Sequence, residues 1–134
     1  MKRKLWSKEE LILAFNLYLK TPFGKMHSTN KDVIYLAHLI GRTPNSVALR
    51  LVNFASVDPV LKARGIKGMD GGKKIVQPIW DEFFNNQEEL IFLSEKILSI
   101  KSFKQIYQIL FKHHYGKTYC VKNHKTLSFF SQSS

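Results

Sequence analysis

Residues 30–54 constrain the fold most strongly, because their pattern predicts two helices joined by a tight turn. Asn30 is a candidate N-cap for the first helix, whose apolar residues recur at helical spacing until Gly41 stops it. Thr43 followed by Pro44 starts the second helix. A hydroxyl can cap free backbone N–H groups there, and proline at the first helical position loses no hydrogen bond.

The second predicted helix, residues 43–55, has an apolar side and a more polar side. Because a helix advances by roughly 100° per residue, Val47, Leu51 and Phe54 share one face, which we expect to point inward. The side expected to face outward carries Asn45, Ser46, Leu49 and Asn53.

This organisation is typical of helix-turn-helix DNA binders, whose second helix reaches the bases. Amide side chains can pair bidentately with adenine and hydroxyls can serve several base edges, so the outward set supplies candidate base contacts. Arg42, Thr43 and Arg50 are candidate phosphate contacts beside it. The alternative is an ordinary helical hairpin whose polar face is only hydrated, since short patterns of this kind also arise by chance.

A third helix is predicted ahead of these two. Ser7 and Glu10 have the spacing of a capping box, and the helix they start continues to about Lys20, with Trp6 under its first turn. We therefore expect residues 1–58 to form a trihelical helix-turn-helix unit. The basic arm before it adds the candidate phosphate contacts Lys2, Arg3 and Lys4.

The charge of the chain points to a polyanionic partner. The formal net charge is +11 over 134 residues, and a basic surface gains affinity for nucleic acid by releasing counterions from phosphates. Residues 79–100 hold one basic and five acidic side chains, whereas residues 101–134 hold six basic side chains and no acidic one. The acidic block is thus confined to one segment, which we expect to point away from DNA.

Four stretches carry a resemblance to a known family: WSKEELILAFNLYL (6–19), GRTPNSVALRLVNFASVDP (41–59), GIKGM (65–69) and IWDEF (79–83). The first and second are similar to the Myb/SANT-type trihelical domain. The four together resemble the amino-terminal module that precedes the nuclease domain in bacterial HNH-endonuclease proteins. The resemblance implies a DNA-binding targeting module of a restriction-type system, with an HNH nuclease domain or a second copy of the chain as a further partner.

The chain departs from that family where the nuclease should be. An HNH site needs two histidines and an asparagine spread over a ββα-metal motif, and no such array follows. His113, His114, Asn123 and His124 are crowded together, and no carboxylate occurs after Glu95 to hold a hard divalent cation. A zinc site is disfavoured because Cys120 is the only cysteine. We therefore expect no enzyme activity, no metal and no other cofactor.

Residues 59–78 hold four of the seven glycines and predict a flexible basic connector, with a short extended segment at Ile75 and Val76. Its candidate phosphate contacts are Lys62, Arg64, Lys67, Lys73 and Lys74; the alternative is a plain solvated linker. Residues 79–115 predict a helical hairpin, with helices starting near Asn86 and Ser102, and aromatic residues from Trp80 onward that close the core. Residues 116–134 predict a basic, flexible tail.

The resulting expectation is an all-α, cytoplasmic protein that binds double-stranded DNA. A single cysteine fits a reducing compartment, and no apolar run approaches the roughly 20 residues needed to cross a bilayer. The alternative function is a SANT-like protein-interaction module for an acidic partner. It predicts weak or absent binding to duplex DNA.

Overall fold

The first helix, α1 (Lys8–Lys20), begins at the capping box that the sequence predicts. The computed structural model describes residues 5–115, and the side chains of all of these except 70 and 112–115. In it the Ser7 hydroxyl accepts a hydrogen bond from the backbone N–H of Glu10, and the Glu10 carboxylate accepts one from the N–H of Ser7. The predicted arm at residues 1–4 and tail at 116–134 lie outside the described residues.

The two central helices also begin and end where the sequence predicts. In α2 (Lys31–Ile40), the Asn30 side chain caps the first turn, and Gly41 ends the helix in the left-handed region at φ 73°. A side chain there would be strained, which explains why glycine stops the helix. In α3 (Pro44–Ser56), the Thr43 hydroxyl accepts from the N–H of Ser46. The predicted inward face of α3 is confirmed, since Val47, Leu51 and Phe54 are fully buried.

Residues 59–78 are folded, so the prediction of a flexible connector is wrong. They contain α4 (Pro59–Ala63), a 3₁₀ turn at Asp70–Gly72 and the start of α5 (Lys73–Phe83). The Asp58 carboxylate organises this segment: one oxygen caps α4 through the N–H of Val60, and the other accepts the Tyr18 hydroxyl. Burial, together with Asp58, raises the pKa of Tyr18. The predicted extended segment at Ile75 and Val76 is helical instead.

The predicted C-terminal hairpin is also wrong, because α6 runs without interruption through Gln87–Tyr115. Ser102 and Gln105 have the residue types and spacing of a capping box, yet they lie inside this helix. A cap forms only where the preceding backbone leaves the helix, and no glycine or proline occurs between residues 87 and 115 to end it.

The contacts divide the chain into two units, Met1–Leu98 and Ser99–Ser134. In the first unit, α1, α2, α3 and α5 pack around one core and α4 packs on α3. The Phe15 and Phe54 rings stack with their centroids 4.8 Å apart, and Trp80 lies 5.1 Å from Phe15. Trp80 and Phe83 are buried, which confirms their predicted place in the core.

Part of α6 belongs to the second unit, where it exposes an apolar face. Phe103, Tyr107 and Phe111 follow one another at four-residue spacing, and their rings form a ladder with centroids 6.0 and 4.9 Å apart. Over residues 5–115 the secondary structure is helical without strands, as the all-α prediction requires. Within the same residues, none of the helices is both long and apolar enough to span a bilayer.

Candidate nucleic-acid interface

The N-terminal turns of α3 present polar side chains at the surface. Thr43 and Asn45 are exposed, Ser46 is half-buried, and the Leu49 side chain is 42% exposed. The Thr43 hydroxyl already accepts the Ser46 N–H, so it retains its own hydrogen for a second partner. Three of the four candidate base contacts, Asn45, Ser46 and Leu49, are thus brought together on one accessible patch.

Asn53 is the fourth candidate base contact, and the prediction that it faces outward is wrong. Its side chain is 2% exposed. The amide Nδ2 donates to the carbonyl oxygen of Met69 at 2.9 Å, and Oδ1 accepts from Nη1 of Arg50 at 3.0 Å. Asn53 lies at the edge of the polar side of α3, and the loop that follows α4 folds over it. The Asn53 side chain therefore joins α3 to the loop that follows α4 and is not available to DNA.

Arg42 is engaged inside the protein, which removes it from the phosphate contacts. Its guanidinium pairs bidentately with the Glu10 carboxylate, with Nε and Nη2 each 3.0 Å from an oxygen, and Nη2 also donates to the carbonyl of Leu5. The two side chains are only 12% and 7% exposed. Burial by itself raises the pKa of Glu10, but the hydrogen bonds from Arg42 and Ser7 outweigh it, so the pKa is lowered.

Arg50 lies beneath the start of α1, where Nη1 bonds to Asn53 and Nε is buried without a hydrogen-bond partner among the described residues. Its guanidinium carbon lies 5.0 Å from the centroid of the Trp6 ring, and that of Arg42 lies 4.6 Å from the same centroid. Burial, followed by the nearby charge of Arg42, lowers the pKa of Arg50. The Trp6 ring thus packs against the guanidinium groups of two arginines, and one of these, Arg50, also bonds to Asn53. The predicted phosphate contact at Arg50 becomes part of the framework of α3.

Two glycines let the loop after α4 lie directly on α3. A Cβ added at Gly68 would come within 2.5 Å of the backbone nitrogen of Ser56 and 2.6 Å of the carbonyl oxygen of Val52. A Cβ at Gly72 would fall 2.0 Å from Oδ1 of Asn53. Because helix backbone cannot move aside for a methyl group, this loop approaches α3 only with glycine at residue 68.

The ordered loop groups three of the predicted phosphate contacts around one cleft of about 350 Å³. The end of α4 shapes it: Ile66 N–H bonds to the carbonyl of Leu61 and Gly65 N–H to that of Lys62, a helix termination that turns at Gly65 with φ 76°. The other two basic candidates of the segment, Arg64 and Lys74, are exposed but do not line the cleft. The residues that line it include Ser56, Lys62, Gly65, Lys67, Gly68 and Lys73.

Several of these roles carry no signal in the sequence. Glu10 matches a capping box, and the match gives no hint of the second bond to Arg42, thirty-two residues away. Gly68 and Gly72 occur in a glycine-rich segment that reads as flexible. The lysine candidates of residues 59–78 were found from charge alone, but their convergence depends on α4 and on the loop. The arm candidates Lys2, Arg3 and Lys4 lie outside the described residues.

No group of three or more His, Cys, Asp or Glu side chains that could hold a metal occurs in the part of the chain that the structure describes. The side chains of His113 and His114, and the whole of Cys120 and His124, lie outside that part. Comparisons with protein-family models, with curated proteins and with solved structures found no match to this chain.

Proposed function

We propose that this protein binds double-stranded DNA through a trihelical helix-turn-helix unit made of α1, α2 and α3. The first turns of α3 would enter the major groove, and the family resemblance suggests a targeting role in a restriction-type HNH endonuclease system. Cutting would then come from another domain or another chain, because the sequence lacks the HNH pattern of that family.

The observation that carries the proposal is the division of α3 into two halves. Its first two turns expose an amide, hydroxyls and Leu49, groups that can contact base edges and the thymine methyl. Its C-terminal half is covered by the loop that brings three lysines together. A recognition helix typically contacts bases through its N-terminal residues while basic segments hold the backbone, and this arrangement matches that division.

The overall charge distribution supports the same orientation. The exposed carboxylates of α5 and α6 lie at Asp81, Glu82, Glu88, Glu89 and Glu95. In the loop region, Lys62, Arg64, Lys67 and Lys74 are exposed instead. Of the two carboxylates in the first turn of α1, Glu10 is neutralised by Arg42 and Glu9 is exposed. Helix α3 itself contains no acidic residue.

Fluorescence anisotropy with a short duplex tests the proposal. We expect binding whose affinity falls steeply with salt, because counterions are released from the phosphates. Asn45→Ala should change the sequences enriched from a random duplex pool more than it changes bulk affinity. Asn85→Ala, an exposed amide outside the proposed face, is the matched control. The absence of duplex binding at low salt would overturn the proposal and favour the SANT-like alternative.

The absence of nuclease activity has its own test. Purified protein incubated with supercoiled plasmid and Mg²⁺ or Mn²⁺ should leave the plasmid intact. Nicking or linearisation that follows the protein through purification would show a catalytic site that the sequence does not reveal, and it would remove the targeting role from the proposal.

A further inference from the structure

A concave, basic site lies at the C-terminal end of α3. The side chains of Lys62, Lys67 and Lys73 come from the end of α4, the loop and the start of α5, and all three line the same cleft. Among the side chains that the structure describes, those that line this cleft include no carboxylate. Three lysines that line one cavity repel one another through their positive charges, and an anion placed there relieves the repulsion.

The cleft is held in shape before any ligand arrives. The side chain of Asn53 anchors the loop through the carbonyl of Met69, and Gly68 packs against the backbone of α3 at Ser56. Ser56 itself is 4% exposed, and its hydroxyl donates to the carbonyl of Asn53. Binding to a preorganised loop avoids the entropy cost of ordering it, which is the main penalty for anion capture by a flexible basic segment.

We infer that this cleft binds a phosphate group. Ammonium groups are common phosphate ligands, and Gly65 at the edge of the cavity adds no side chain that would compete for the space. At about 350 Å³, the cleft lies at the small end of the volumes of ligand sites, which suits a phosphate with part of the group that carries it. The phosphate can be a diester of the DNA backbone or a small free phosphate compound.

The position of the cleft favours a backbone phosphate of bound DNA. Asn45, Leu49, Val52 and Ser56 are spaced by four, three and four residues, so they form one narrow stripe along α3. The cleft at Ser56 therefore lies roughly 16 Å along the helix from Asn45, on the same side. A helix whose first turns contact bases would meet a strand of the backbone near its other end. This assignment of the source rests on the proposed function, whereas the phosphate site itself does not.

The first measurement addresses the site with inorganic phosphate alone. Phosphate is titrated into the ¹⁵N-labelled full chain at constant ionic strength. We expect saturable shifts of the backbone amides of Gly65, Lys67 and Gly68. The triple variant Lys62→Gln, Lys67→Gln, Lys73→Gln should lose these shifts. The control triple Lys25→Gln, Lys31→Gln, Lys96→Gln removes the same charge from exposed positions elsewhere and should retain them.

The second measurement identifies the source of the phosphate. In duplex binding, the slope of log affinity against log salt is negative. In the cleft triple its magnitude should decrease by about 0.9, which corresponds to one lost phosphate contact, and in the control triple it should decrease by clearly less. This result supports a DNA backbone phosphate, even if free phosphate binds too weakly to detect. Phosphate shifts with an unchanged slope support a small phosphate compound as the ligand.

The inference and the proposed function fail in distinguishable ways. If neither the phosphate titration nor the salt slope separates the cleft triple from the control triple, the phosphate site is overturned while duplex binding stands. If the wild-type protein does not bind duplex at all, the proposed function falls, and the phosphate titration alone decides whether the cleft is an anion site.

Discussion

The side-chain amide of Asn53 in α3 donates a hydrogen bond to the carbonyl oxygen of Met69, sixteen residues further along the chain. This bond fastens the basic loop to the helix proposed to read DNA. It also changes the role of Asn53, whose residue type and helical position predict a base contact. The same amide group that could recognise adenine at the surface serves here to order three lysines around a cleft.

Replacing Asn53 with alanine should destabilise the protein by about 1–3 kcal/mol, because the Met69 carbonyl and the Arg50 guanidinium lose a partner in a partly buried place. Urea unfolding measures the loss. Asn45→Ala, at an exposed position of the same helix, should stay within about 0.5 kcal/mol of wild type. Equal effects for the two variants would contradict the assigned role of Asn53.

Replacing Gly68 with alanine should cost about 1–3 kcal/mol, since the added methyl group meets the backbone of α3 at Val52 and Ser56. Gly71 is the matched control in the same segment, because a Cβ there meets nothing within 4 Å. We expect Gly71→Ala to be neutral or slightly stabilising. Hydrogen exchange of residues 66–69 should accelerate only in Gly68→Ala; protection that remains at the wild-type level would show that the loop does not depend on this contact.

Glu10 should make the stability of the protein depend on pH. Its pKa is lowered on folding, so its contribution is fully present above its ordinary value of 4.5 and is lost as the pH falls through the lower folded value. The difference in the free energy of unfolding between wild type and Glu10→Gln should therefore be largest near neutral pH and should shrink in acid. Glu9→Gln, at an exposed neighbouring position, is the control. A difference that grows as the pH is lowered would refute the assignment.

Trp6 should stabilise the start of α1 through the two arginines that lie over its ring. Trp6→Leu removes both cation–π contacts and should cost about 1–2 kcal/mol in a denaturant titration. Trp6→Phe retains an aromatic face and should cost less. If the leucine and phenylalanine variants lose the same free energy, apolar packing alone accounts for the role of Trp6.

Local sequence signals determined the helices of the first half of the chain. Ser7, Asn30, Gly41 and Thr43 mark helix boundaries through hydrogen bonds and backbone angles within a few residues, and each boundary was predicted correctly. The same local reasoning failed at Ser102, where a capping-box pattern occurs inside the continuous helix α6. A local signal is reliable only when the neighbouring backbone agrees with it.

The sequence by itself thus determined the helical class, the boundaries of α1, α2 and α3, the buried face of α3 and the excess of positive charge. Only the tertiary structure decided which polar and basic side chains remain available to a partner. Arg42 pairs with Glu10, and Asn53 bonds to Arg50 and to the carbonyl of Met69, whereas lysines from α4, the loop and α5 line one cleft. The physical reason is that hydrogen bonds and burial at these positions join residues distant in sequence, and such pairings leave no periodicity for the sequence to reveal.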